Sequence, residues 1–85
     1  MKNARDRLNI RFGLRCKQLR SNMGLSQLDF SQLIGMDRSY YASIEVGDRN
    51  VTLQSMDKIA HGFGVSLATL VEGIDQQDSD VKVGF

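Results

Sequence analysis

In a chain of 85 residues without one proline, the punctuation falls to glycine. Gly24, Gly35, Gly47, Gly64 and Gly73 each follow a stretch whose apolar residues recur at helical spacing, as helix stops do. The intervals between them leave room for short helices, and no segment alternates as a strand would. Matching starts are legible. Ser26 and Asp29 have capping-box spacing, and Asp37, Thr52 and Ser66 stand where each can cap the turn that follows. The pattern predicts an all-α fold of five helices at about 5–23, 26–34, 38–46, 53–63 and 67–72.

The apolar positions assign a face to each helix. Leu8, Phe12, Cys16, Leu19 and Met23 form one stripe on the first. Phe30 and Ile34 point inward from the second, with Leu25 and Met36 closing its ends. Leu53, Met56, Ile59, Ala60 and Phe63 form the core face of the fourth, and Leu67, Leu70 and Val71 that of the fifth. Residues 1–73 thus read as one domain. Residues 74–85 (IDQQDSDVKVGF) read as a polar, acidic tail, in which Val81, Val83 and Phe85 are the residues able to dock.

Composition narrows the function. One cysteine and one histidine cannot build a protein-only zinc site or a disulfide framework, so no metal is expected. Cys16 reads as a small core residue and His61 as an exposed, idle one. A lone thiol fits a reducing cytosol, and neither a membrane-length apolar run nor a signal-peptide core is present. The expectation is a cytoplasmic protein that does not span a membrane. Gly62-Phe63-Gly64 lacks the third glycine and the preceding strand of a nucleotide fingerprint, and no local motif arranges serine, histidine and aspartate as a triad. No enzyme activity and no cofactor are expected.

The formal net charge of +1 hides an asymmetry. Residues 1–20 carry Lys2, Arg5, Arg7, Arg11, Arg15, Lys17 and Arg20 against Asp6 alone. Such a basic first quarter suits a polyanionic partner. Arg7, Arg11 and Arg15, stepping by four, read as a solvated face, or else as a long-range attractor of that polyanion or a binding face for a second factor.

Residues 26–46 place two short helices around a turn at Gly35, which is helix-turn-helix spacing. Projection of the second of them splits it cleanly. Tyr41 and Ile44 fall on one side; Arg38, Ser39, Ala42 and Ser43 fall on the other. The outward set is small and polar apart from one long cation at the helix start. Such a face fits a major groove, with Arg38 placed for a bidentate contact to guanine O6 and N7, Ser39 and Ser43 for base edges, and Ala42 for a thymine methyl. A cation at a helix N-terminus opposes the helix dipole, which favours an external anion as its partner.

The stretch from Leu25 to Gly73, with LSQ at 25–27, the Gly35 turn, SIE at 43–45, Gly47 and IAHGFGVSLATL at 59–70, resembles the lambda-repressor-like (Xre-type) helix-turn-helix family. The resemblance spans about residues 12–73. Within that family, DRSYYASIEVGDRNVTLQS at 37–55 is similar to the controller proteins of restriction–modification systems, whose recognition helix begins Asp-Arg-Thr-Tyr. The resemblance implies a role for each matching position. Ser26 and Gln27 begin the second helix, where the glutamine hydrogen-bonds a phosphate and braces the recognition helix. Arg38, Ser39 and Ser43 match base-reading or groove-facing positions, and Tyr40 matches a tyrosine beside the DNA backbone. Arg49, Asn50 and Ser55 match flanking contacts, and Arg20 with Glu45 matches a pair that clamps the first helix to the third while the arginine touches phosphate.

The sequence also departs from the family. Val46 and Asp48 stand where lysine or arginine is frequent, Tyr41 where an aliphatic core residue is usual, and Leu28 and Leu33 at positions commonly polar. Gly62 replaces a common alanine inside a helix, at a propensity cost of about 1 kcal/mol. Each assignment has an ordinary counterpart: solvated side chains at 38, 39 and 43, a surface aromatic at 40, a helix former at 27, a purely structural pair at 20 and 45.

One short helix reads only about 4–5 base pairs, too few for a specific site, so a paired module is expected. Phe63, Val65, Leu67, Leu70 and Val71 carry more apolar character than a small monomer readily hides, and in the family that end forms the two-fold contact. The expected function is a homodimeric transcriptional regulator of the controller type, acting on palindromic double-stranded operators, with RNA polymerase as a further partner. The alternatives are a phage or chromosomal repressor, an antitoxin-like autoregulator, or a protein-interaction module without DNA binding.

Overall fold

The computed structural model describes residues 7–76. Its elements are α1 (Arg7–Asn22), α2 (Gln27–Ile34), α3 (Arg38–Glu45), α4 (Leu53–Phe63) and α5 (Leu67–Leu70), with no strand among the described residues. The expected start of the first helix at residue 5, and the tail residues Val81, Val83 and Phe85, lie outside the described part.

The starts and stops follow local chemistry. Ser26, Asp37, Thr52 and Ser66 each accept, through the side chain, a backbone N–H three residues on, and so satisfy an amide that the helix start leaves open. Gly35 and Gly64 close α2 and α4 in the left-handed region, at φ 68° and 72°, where an L side chain would be strained.

Phe30 lies at the centre of the core. Its ring stacks on Phe63 at a centroid distance of 4.3 Å and tilts against Tyr41 at 5.2 Å. Phe12, Cys16, Ile44, Ile59, Ala60 and Leu70 complete the buried set, with Leu19, Leu25, Ile34, Met36 and Met56 packed around it. α1 crosses α3, α2 packs on α3 and α4, and α5 closes against α4.

Three expected core residues are instead exposed: Leu8 (50%), Met23 (45%) and Leu53 (66%). Leu8 and Leu53 sit in the first turns of α1 and α4, and Met23 lies one residue past the end of α1. Periodicity assigns them a face but does not say where the neighbouring helix ends.

The basic stripe is a second correction. Arg11 and Arg15 are half-buried, not freely solvated. Arg11 Nε donates to the Ile74 carbonyl at 2.7 Å, and Arg15 donates to the carbonyls of Leu70 at 3.1 Å and Thr69 at 2.6 Å. The end of a four-residue helix leaves carbonyls short of amides, and cations belong there. Ile74, assigned to the tail by sequence, packs partly against the core.

Gly62 is the third. A Cβ there would lie 2.3 Å from Ile34 Cγ2 and 2.9 Å from Phe30 Cε1. The missing side chain lets α2 and α4 approach, so alanine would gain helix propensity but overpack the core.

Candidate nucleic-acid interface

The recognition helix α3 is seated by its inner face. Tyr41 and Ile44 are fully buried, as their projection predicts. Glu45, also on the inner face, is buried with its side chain 3% exposed. A carboxylate in that position needs donors, and four reach it from three helices. Arg20 of α1 donates from Nε to Oε2 at 2.7 Å and from Nη2 to Oε1 at 2.9 Å. Gln27 of α2 donates from Nε2 to Oε1 at 2.8 Å, and the Tyr41 hydroxyl donates to Oε2 at 2.6 Å. Arg20 Nη1 also reaches the Leu25 carbonyl at 2.8 Å and so ties the α1–α2 turn to the same junction.

The electrostatics follow from the contacts. Burial pushes the Glu45 pKa upward, but the hydrogen bonds from Arg20, Tyr41 and Gln27 outweigh it and hold the carboxyl below its ordinary value. Burial, and then the bond to Glu45, raises the Tyr41 phenol well above its usual range. The bond to Glu45 likewise raises Arg20, against the opposing effect of burial. Cys16, behind this junction, is pushed up to about 12 by burial and then by the Glu45 charge. The thiol stays protonated and unreactive at neutral pH.

The outer face of α3 is different. Arg38 and Ser39 are exposed, and neither has a side-chain partner among the described residues. Asp37, as N-cap, accepts the Tyr40 amide at 3.0 Å and leaves the Arg38 guanidinium uninvolved in the cap. Farther along, the Ser43 hydroxyl donates to the Tyr40 carbonyl at 2.6 Å and accepts from Arg49 Nε at 3.0 Å. The Arg49 guanidinium lies over the Tyr40 ring at 5.2 Å from its centroid. Tyr40, Ser43 and Arg49 therefore form one ordered cluster beside the free Arg38–Ser39 end.

The remaining expected contact residues have local duties. Ser26 caps α2. The Ser55 amide donates to Thr52 Oγ1 at 3.1 Å in the cap of α4. Asn50 Oδ1 accepts from Asn9 Nδ2 at 2.8 Å, which ties the loop after α3 to the start of α1. Asn9 carries no sequence signal; the two asparagines are 41 residues apart and only the fold joins them. The part played by the Tyr41 hydroxyl did have one: Tyr41 and Glu45 are spaced i, i+4, one helical turn.

Of the residues expected to pair two copies, Leu70 is fully buried and unavailable as a surface contact, because the short α5 turns it into the core. Phe63 is engaged with Phe30, while Val65, Leu67 and Val71 are half-buried against the core. His61 is exposed, with Nδ1 3.0 Å from the Asp57 carbonyl oxygen. No group of three or more His, Cys, Asp or Glu among the described residues is arranged to hold a metal, and no helix there is long and apolar enough to cross a membrane.

Comparison with known proteins agrees with this geometry. The family model for the helix-turn-helix matches residues 17–70. Control protein C.MunI from Mycoplasma sp. is 44% identical over 71 residues, covering 82% of this chain and 96% of that protein. The crystal structure of the restriction–modification controller protein C.AhdI from Aeromonas hydrophila superposes with a TM-score of 0.69 at 39% identity, over 72% of this chain and 92% of that one. A structure of the nucleoprotein complex of C.Esp1396I matches with a TM-score of 0.69 at 28% identity, over 82% of this chain and 96% of that one.

Proposed function

The chain belongs to the helix-turn-helix family, among DNA-binding regulators close to the restriction–modification controller proteins, and from that premise we propose that it acts as a homodimer on palindromic duplex operators and regulates transcription in a restriction–modification system. The observation that carries the reading is the contrast between the two faces of α3. Its inner face is locked by Glu45 and its four donors, while its outer end presents Arg38 and Ser39 without partners among the described residues. A rigid helix with a free arginine in its first turn is suited to reading guanine in the major groove. Tyr40, Ser43 and Arg49 flank it as a preassembled cluster. C.Esp1396I, a controller protein of the same fold, forms a nucleoprotein complex, which supports DNA as the partner.

Dimerisation follows from the small readout of one short helix. Val65, Leu67 and Val71, half-buried at the α4–α5 end, form the apolar end best placed for the two-fold contact. A dimer placed at a promoter acts on transcription by engaging RNA polymerase or by blocking it.

Replacing Arg38 tests the reading. Arg38→Ala is expected to remain folded and dimeric, because the side chain supports nothing within the protomer. Its affinity for a selected operator should fall by about 10- to 100-fold, the worth of one bidentate base contact. Affinity for unrelated duplex should change little. For the wild type, log K should fall steeply with log salt as lysines and arginines displace counterions. Equal affinities of variant and wild type for the operator would rule out the proposed base contact, and a flat salt response would favour the interaction-module alternative.

A further inference from the structure

We propose that Tyr41 is a positioning residue for the DNA backbone contact: its hydroxyl completes the acceptor shell of Glu45 and thereby fixes the remaining donors of Gln27 and Arg20 for a phosphate. The inference rests on the DNA-binding reading above and on the phosphate role of Gln27.

An ionised carboxylate offers about four acceptor positions. At Glu45 all of them are taken. Oε2 accepts from Arg20 Nε and the Tyr41 hydroxyl, and Oε1 accepts from Arg20 Nη2 and Gln27 Nε2. This saturation sets the Gln27 amide with its nitrogen toward the carboxylate and its second N–H unused among the described residues. Arg20 is similarly constrained. With Nε and Nη2 on Glu45 and Nη1 on the Leu25 carbonyl, one N–H on each terminal nitrogen is left over. The ion pair is neutral as a unit, and the spare capacity of its two partners is donor only on Arg20 and includes a donor on Gln27. Spare donors of this kind suit a phosphate oxygen.

Tyr41 is the member of the junction with no route outward, since it is fully buried and its ring packs on Phe30. Its effect on DNA must therefore run through Glu45. The groups that bear on the carboxylate are Cys16 and Arg20 from α1, Gln27 from α2, and Tyr41 on α3 itself. Without the hydroxyl, Oε2 keeps only the Arg20 Nε donor, so the carboxylate is held by the Arg20 fork alone on that side and the Gln27 amide rests on a less rigid anchor. Phenylalanine retains the ring packing and removes only that atom.

The test is a double-mutant cycle on duplex affinity, with Tyr41→Phe, Gln27→Ala and the double variant titrated by fluorescence anisotropy at one ionic strength. Two labelled duplexes are used, a selected operator and an unrelated sequence. Tyr41→Phe should weaken both by about 3- to 10-fold, since a backbone contact carries no sequence information. The losses should be less than additive: the double variant should bind more tightly than the product of the two single losses predicts, because only the part that runs through Arg20 remains. Wild-type affinity in Tyr41→Phe, losses that add in full, or a loss confined to the operator would overturn the proposal. If the wild type binds neither duplex, the DNA reading itself fails, and the proposal with it. The acid limb of unfolding provides a second readout that also serves if a variant is hard to titrate with DNA. Tyr41→Phe and Gln27→Ala each remove a donor from Glu45 and let its folded pKa rise toward the unfolded value, so each should lose less stability on acidification than the wild type, along a shallower acid limb. An unchanged acid limb in both would show that the hydroxyl and amide do not act on the carboxylate, and would equally overturn the proposal.

Discussion

Glu45→Gln is expected to destabilise the domain by about 3 kcal/mol, measured by urea denaturation at neutral pH. The substitution keeps the shape of the side chain but replaces an acceptor oxygen by a donor NH2, opposite the donors of Arg20, Gln27 or Tyr41. Breaking one side of a buried ion pair costs roughly 3–5 kcal/mol, mostly because the surviving charge is left without its counter-ion. Arg20 remains 12% exposed and retains the Leu25 carbonyl, which places the variant near the lower figure. The same side chain sets a pH dependence. The carboxyl of Glu45 is held below its ordinary value in the folded state, where the hydrogen bonds from Arg20, Tyr41 and Gln27 outweigh burial. Its stabilising contribution is therefore complete above the pKa of an unfolded glutamate and is lost as pH falls through the lowered folded value. The wild type should lose stability on acidification below about pH 5, and Glu45→Gln should show a shallower acid limb. Parallel limbs in the two proteins would contradict the assignment.

Gly13→Ala is expected to cost about 3 kcal/mol or more, although alanine is the better helix former by about 1 kcal/mol. A Cβ at Gly13 would lie 2.4 Å from the Glu45 carbonyl oxygen and 2.5 Å from that of Ile44. Both atoms are backbone, so no side-chain rotation relieves the overlap, and α1 would have to retreat from α3 by roughly 1 Å. That retreat opens the contact carrying Phe12 and Cys16 and stretches the Arg20–Glu45 bonds. Gly47 marks the same close crossing from the other side, where a Cβ would lie 2.9 Å from Ile10 Cα. Thermal and denaturant unfolding of Gly13→Ala check the sign directly. A variant as stable as the wild type would show that the two helices do not meet so closely.

Much of this architecture is legible in the order of the residues alone, and the reason is local. Caps such as Ser26, Asp37, Thr52 and Ser66 act on amides three residues away, and a stop such as Gly35 is dictated by one φ angle. The split of α3 into a Tyr41–Ile44 side and an Arg38–Ser39 side needs only the helical period. What escapes is the information that arises when helices meet. Gly62 looks like a propensity defect until Phe30 arrives against it, and Gly13 carries no sequence signal until α3 meets it. Arg11 and Arg15 look like a solvated stripe until the carbonyls at 69, 70 and 74 come within reach. Tyr41 looks like an unusual core residue, and only the convergence of three helices on Glu45 makes its hydroxyl part of the junction beneath the proposed DNA surface.

The central claim is that the free outer end of α3 reads duplex DNA, once from each of two copies. Selection of bound sequences from a random duplex pool by the folded protein tests it most directly. The expected result is enrichment of two inverted half-sites, with centres about one helical turn apart and a guanine at the position met by Arg38. Recovery of unenriched sequence by protein that is folded and dimeric would contradict it.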